Sequence, residues 1–84
     1  MYYVYIIKSK KDNSLYIGYS DNLKRRINEH NNKLSVSTKN KIPWELIYYE
    51  AYKSKSDAKY REYNLKRFAK GYAQLKKRIE NSLK

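Results

Sequence analysis

The chain has 84 residues, with 20 Lys and Arg against 8 Asp and Glu, a net charge of +12, 11 Tyr and no Cys. A length of 84 residues supports one hydrophobic core, so residues 1–84 are expected to form a single domain. A disulfide framework and a Cys-based zinc site are excluded, and 40% apolar content argues against a disordered basic tail. The positive field suits a polyanion: nucleic acid, an anionic membrane surface or an acidic protein.

The first residues, Met1 to Ile7, carry no leading basic region, and their apolar run is too short for a signal peptide or a span. A soluble, cytoplasmic protein is therefore expected. Tyr2 to Ser9 reads as a strand with apolar side chains on both faces. Lys10 to Asn13 is a turn, and Leu15 to Tyr19 is a second strand that closes a hairpin. Ser20 or Asp21 can cap a helix running to about His30, with Leu23 and Ile27 inward. Asn31 to Lys41 is a polar loop. Pro43 and Trp44 lead into a third strand, Glu45 to Tyr52. Ser54 or Ser56 caps a second helix that ends near Lys70, with Gly71 as its stop. Tyr72, Leu75, Ile79 and Leu83 make the apolar stripe of a third helix. The order ββαβαα describes an α+β fold: a small, three-stranded, mostly antiparallel sheet flanked by helices. Residues 53–84 hold 11 basic and 3 acidic residues, two thirds of the net charge.

Three features suggest more than packing. Tyr5 and Tyr16 sit one in each hairpin strand. A turn centred on Lys11-Asp12 sets Tyr5 opposite Gly18 and makes the two tyrosines diagonal neighbours on one face. Gly18 would then leave a gap through which a ligand approaches the backbone. Tyrosine is also simply a good strand residue. Arg26 and His30 are i, i+4 on the first helix and flank its apolar stripe, whereas Lys24 and Arg25 face solvent. A solvated basic edge is the plainer account of that pair. Glu62 falls in the apolar line Ala58, Leu65, Phe68, Ala69 of the second helix. An inward carboxylate needs a partner. Lys66 at i+4 is the simple partner; a metal ion or Arg26 across a cleft is the other.

Together these are the groups that phosphodiester hydrolysis uses. A base or positioner handles the proton of water, a cation neutralises charge on phosphorus, and a carboxylate holds a hard divalent ion.

At these residues the chain resembles the GIY-YIG nuclease superfamily. Its paired tripeptides stand here as Tyr3-Val4-Tyr5 and Tyr16-Ile17-Gly18. The helix with Arg and then His four residues on is Leu23 to His30, and the later glutamate lies in Arg61-Glu62-Tyr63. The likeness covers about residues 2–80. It is greatest to the small stand-alone bacterial branch, similar to the nuclease domains of structure-specific resolvases and UvrC-type repair enzymes. One departure is Tyr3, where the family has Gly.

The resemblance implies a single-metal endonuclease acting on nucleic acid, DNA foremost, including branched or damaged structures. It implies that Tyr5 activates or positions water and that Tyr16 shares the site. Arg26 would stabilise the scissile phosphate, His30 would assist with the proton or contact phosphate, and Glu62 would ligate Mg²⁺ or Mn²⁺. Arg25, Lys66, Arg67 and Tyr19 are expected to contact the nucleic acid. A Tyr5 phenolate would need the metal and nearby cations, and a charge of +12 works in that direction. No recognition module is expected beyond this domain, so specificity would rest on charge, shape or a protein partner. The alternative is a basic nucleic-acid-binding module that is non-catalytic or needs such a partner. The 72–83 stripe would also suit a membrane surface, but core packing is the plainer account and no membrane partner is expected.

Overall fold

The computed structural model describes residues 1–84. It orders the elements as β1 (Tyr2–Ser9), β2 (Leu15–Ser20), α1 (Leu23–Asn31), β3 (Trp44–Tyr52), α2 (Lys55–Arg67) and α3 (Ala69–Arg78). The expected order ββαβαα is therefore the observed one. All pairings are antiparallel, and the sheet order is β2-β1-β3.

β1 is central because its alternate residues are apolar on both faces. Val4 and Ile6 join Ile17, Ala58, Leu65 and Leu75 in a core under α2 and α3. Tyr5 and Ile7 join Trp44 in a second core, which Tyr16, Leu23 and Ile27 complete on the α1 side. The hairpin register sets Tyr5 opposite Gly18 and Ile7 opposite Tyr16, as the turn centred on Lys11-Asp12 requires. A bulge beside Ile6 and Ile7 leaves Ile47 as an extra residue in β3. It keeps Tyr48, Glu50 and Tyr52 on the α2 side while Trp44 and Leu46 face α1.

Several boundaries differ from the sequence reading. Asn22, not Ser20 or Asp21, caps α1: its side chain accepts the Arg25 N–H at 3.0 Å. Ser20 is buried and its hydroxyl accepts the Asn22 N–H, while Asp21 pairs with the Arg25 side chain at 3.0 Å. Of the two serines offered for α2, Ser54 is the cap. α2 stops at Arg67 because Phe68 is extended, which closes one helix and opens the next. Gly71 therefore lies inside α3 and stops nothing. Phe68, expected in the apolar line, is exposed instead, and so is Ala69. The predicted stripe is used in packing, with Leu75 buried and Tyr72 and Ile79 against the same core, but α3 ends at Arg78, so Ile79 and Leu83 follow the helix instead of lying in it. No helix is long and apolar enough to cross a membrane.

One polar network was not legible in the sequence. Glu50 accepts from the hydroxyls of Tyr48 and Tyr52, each at 2.5 Å, and takes both Arg61 donors at 2.9 and 3.0 Å. Burial pushes the Glu50 carboxyl up, but the hydrogen bonds from Arg61, Tyr48 and Tyr52 hold it below its ordinary value. The bidentate pair ties α2 to β3 and so fixes the rotation of the helix that carries Glu62.

Candidate active site

Tyr5 lies on the α1 side of the central strand, and its ring covers Gly18. A Cβ on Gly18 would overlap the Tyr5 hydroxyl and lie 2.8 Å from its Cε2. The gap expected beside Gly18 is thus filled by Tyr5 itself and does not open to a ligand. Glycine is needed there so that the phenol can lie flat on the neighbouring strand.

The Tyr5 hydroxyl is 2.7 Å from His30 Nε2, and His30 Nδ1 is 2.7 Å from Thr38 Oγ1. All three residues are buried. His30 is therefore not on a solvated edge, and both its nitrogens are engaged within the protein, so contact with a phosphate is not open to it. Burial, and next the Arg26 charge, push its pKa down to about 4, so it is neutral at pH 7. Thr38 comes from the segment read as a plain polar loop. That segment is partly internal: Thr38 and Ser35 are buried, and the Thr38 carbonyl accepts the Trp44 indole N–H at 2.9 Å. Asn31 pins the end of α1 to the Trp44 backbone: its Nδ2 donates to the Trp44 carbonyl and its Oδ1 accepts the Trp44 N–H. Thr38 is the site residue the sequence reading missed, because a buried threonine in a polar stretch carries no periodic signal.

Arg26 lies at the edge of the same face, with 29% of its side chain exposed. Its Nη1 donates to Glu29 Oε1 at 2.9 Å, and its guanidinium lies beside the Tyr5 hydroxyl. Glu29 first, and Tyr5 after it, raise the Arg26 pKa further. Burial lifts Tyr5 to about 12, although Arg26 pulls the other way. The positive field expected to favour a Tyr5 phenolate is outweighed by desolvation, so Tyr5 is a neutral hydroxyl at pH 7.

Tyr16 is half-buried, with its ring edge-on to His30 at 5.3 Å and to Trp44 at 6.3 Å. Its hydroxyl makes no hydrogen bond within the protein. Around the β2 edge, α2 lines the opposite wall. Lys66 Nζ stands 5.6 Å from the Tyr16 ring centre, and Lys59 Nζ stands 4.4 Å from that of Tyr19. Glu62 lies between them with 18% of its side chain exposed, paired to Lys66 Nζ at 3.1 Å. It borders an open groove with Lys59, Tyr63, Lys66 and Arg67. It is also near enough for its charge to act on Tyr5 and Tyr19. Of the partners weighed for Glu62, the simple one is observed: it pairs with Lys66, and Arg26 pairs with Glu29 instead. Arg25 is exposed on α1, held by Asp21 and Glu29.

No three His, Asp or Glu side chains cluster to hold a metal ion. A single partly buried carboxylate at the border of an open groove fits a hard ion that keeps most of its water and takes further oxygens from a substrate phosphate.

A small antiparallel sheet with these groups across one edge has the make-up of a domain of the nuclease class. Residues 1–80 match the model described as the GIY-YIG catalytic domain, and the chain belongs to the GIY-YIG family. A UPF0213 protein of Staphylococcus haemolyticus is 49% identical over 70 residues, 82% of this chain and 84% of that one. A UPF0213 protein of Clostridium perfringens is 42% identical over 71 residues, 83% of this chain and 75% of that one. The solution structure of a UPF0213 protein from Bacillus halodurans superposes with a TM-score of 0.56 at 36% identity, covering 89% of this chain and 82% of that one.

Proposed function

We propose that the protein is a divalent-metal-dependent endonuclease that hydrolyses phosphodiester bonds in DNA. The observation that carries this reading is the convergence of Tyr5, Tyr16, Arg26 and His30 on one face, with Glu62 across the β2 edge. Arg26 can only donate, so beside Tyr5 it directs the tyrosine's own proton to His30 Nε2. His30 then carries its proton on Nδ1 and donates to Thr38. This one-way chain, with Glu29 on the other side, sets the guanidinium in place for the scissile phosphate. His30 and Thr38 are positioning residues, and Arg26 is the catalytic cation.

Exposure divides the tyrosines. Tyr16 meets solvent, so it orients the attacking water: its oxygen accepts the water proton as its own leaves to bulk. Tyr5 is buried and acts through Arg26. Glu62 would hold Mg²⁺ or Mn²⁺, which supplies Lewis-acid stabilisation of the phosphate when bound. Lys66 and Arg67 beside the groove, Tyr19 under Lys59, and exposed Arg25 on α1 grip the nucleic-acid backbone.

The test is incubation with branched, nicked and linear DNA, and with RNA, with and without Mg²⁺ or Mn²⁺. Metal-dependent cleavage of DNA that Arg26→Ala and Glu62→Ala each abolish is expected. No such cleavage on any substrate overturns the reading. Salt-sensitive binding that survives Glu62→Ala without turnover would instead identify a binding module.

A further inference from the structure

α2 buries only Ala58 and Leu65, yet the helix and the extended Phe68 that follows it carry large rings on the outer side. Tyr60 is 69% exposed, Tyr63 52% and Phe68 53%. Burial would have stabilised each ring, and nothing in the core uses them. They do not form a plain apolar patch. Lys59, Lys66 and Arg67 alternate with them along the helix. The Arg67 guanidinium lies over the Tyr63 ring at 5.6 Å and over the Phe68 ring at 5.9 Å, so three planar groups stand side by side. Tyr63 also walls the open groove that Glu62, Lys59, Lys66 and Arg67 border.

Rings interleaved with cations are what an unpaired nucleotide stacks on: the π-face takes any base, and the cations follow the phosphates. A base pair inside a duplex has both faces covered, so apart from its two terminal pairs a blunt duplex offers Tyr63 nothing to stack on. We propose that the Tyr63–Arg67–Phe68 surface at the C-terminal end of α2 binds unpaired nucleotides next to the scissile phosphate, so the protein acts at junctions between single and double strands. This inference rests on the nuclease reading for the position of the scissile bond. The stacking itself does not depend on cleavage. The groove has a carboxylate at its border and shares Lys66 with the neighbouring cavity that Tyr16 lines, which suits a strand leaving the active site better than a lipid surface.

The test is binding with a divalent-ion chelator present, so that nothing is cut. Duplexes with a single-stranded dT or rU tail, carrying 2-aminopurine at the first unpaired position, are compared with blunt duplex. The tailed forms are expected to bind more tightly and their fluorescence to be quenched. Tyr63→Ala should lose roughly tenfold in affinity for tailed forms, in the range stacking supplies. It should also lose the quench while leaving duplex affinity and the salt slope unchanged. Tyr63→Trp should restore both. Tyr63 is exposed, so these variants keep the fold. Equal losses on tailed and blunt forms, or no loss on either, overturn the inference. So does a Tyr63→Ala effect confined to self-association or to co-sedimentation with anionic vesicles. Cleavage by the unaltered protein without this tail preference sinks the stacking surface alone. Tail-specific quenching without cleavage sinks the nuclease reading alone.

Discussion

Tyr5 and His30 share a 2.7 Å hydrogen bond in a part of the molecule that solvent does not reach. The bond joins the middle strand to the last turn of α1, 25 residues apart. Its direction matters as much as its length. On the proposed reading Tyr5 donates to His30 Nε2, because the neighbouring Arg26 can only donate. The imidazole must then offer a lone pair there and a proton to Thr38.

The two tyrosines are therefore expected to fail differently. Tyr16→Phe should reduce single-turnover cleavage about 10²- to 10⁴-fold, the range of a lost proton-handling group, with the unfolding midpoint unchanged. Tyr5→Phe should reduce cleavage and also cost about 1–3 kcal/mol, because His30 Nε2 is left buried without a partner. Thr38→Val should act through the same chain. The ¹⁵N shifts of His30 then report a changed tautomer mixture, and Thr38→Ser restores both the shifts and the rate. Wild-type shifts in Thr38→Val would remove Thr38 from this role.

Gly18→Ala is expected to be more damaging than one added methyl group would suggest, because Gly18 is buried under the Tyr5 ring. The new methyl overlaps the Tyr5 phenol, so either the ring moves or β2 does. Denaturant unfolding should show a loss of about 1–3 kcal/mol, as overpacking does. The Tyr5–His30 bond should break with it, visible as a changed His30 ring shift. Alanine at this position with native stability would show that the ring can leave the glycine freely.

Much of this arrangement was readable in the chain because it depends on local chemistry. Alternation in β1 and the turn at Lys11-Asp12 fix the register, and the register fixes which face Tyr5 and Tyr16 share. Helical spacing places Arg26 at the edge of the α1 stripe. What was not readable depends on distant partners. Nothing local marks Thr38 as internal, or says that Tyr48, Glu50 and Tyr52 would gather around Arg61. The end of α2 was misplaced because glycine is a permissive stop, whereas an extended Phe68 already breaks the helix three residues earlier.

The buried histidine makes stability depend on pH with a definite sign. Its folded pKa is about 4, below the unfolded value near 6.5, so the fold favours the neutral ring. Stability is full above about pH 6.5 and falls as pH drops towards 4, by roughly 3 kcal/mol in all. Carboxylates held low, such as Glu50, add their loss only below their ordinary range, so the two windows separate. Thermal unfolding between pH 7 and 4.5 should show the decline in the native chain. His30→Gln should show a flat profile over that span whatever its absolute stability. A sloping profile in that variant would assign the dependence elsewhere.

Lys66 stands in two roles that a single substitution separates. It neutralises Glu62 in the free protein at 3.1 Å, and it lies over Tyr16 where nucleic acid would pass. A divalent ion on Glu62 has to compete with that ammonium. The pair is part-exposed, and such pairs are worth about 0.2–1 kcal/mol, so releasing it is worth up to about fivefold in ion affinity. Lys66→Met keeps the stem over Tyr16 and removes the charge. Mn²⁺ titration followed by calorimetry should show tighter binding to Lys66→Met and none to Glu62→Gln. Nucleic-acid affinity should move the opposite way, with the salt slope smaller by about one unit, because one phosphate contact is lost. Ion affinity that falls in Lys66→Met would mean that the lysine holds Glu62 in the geometry the ion needs, and that the pair is part of the site and not a competitor for it.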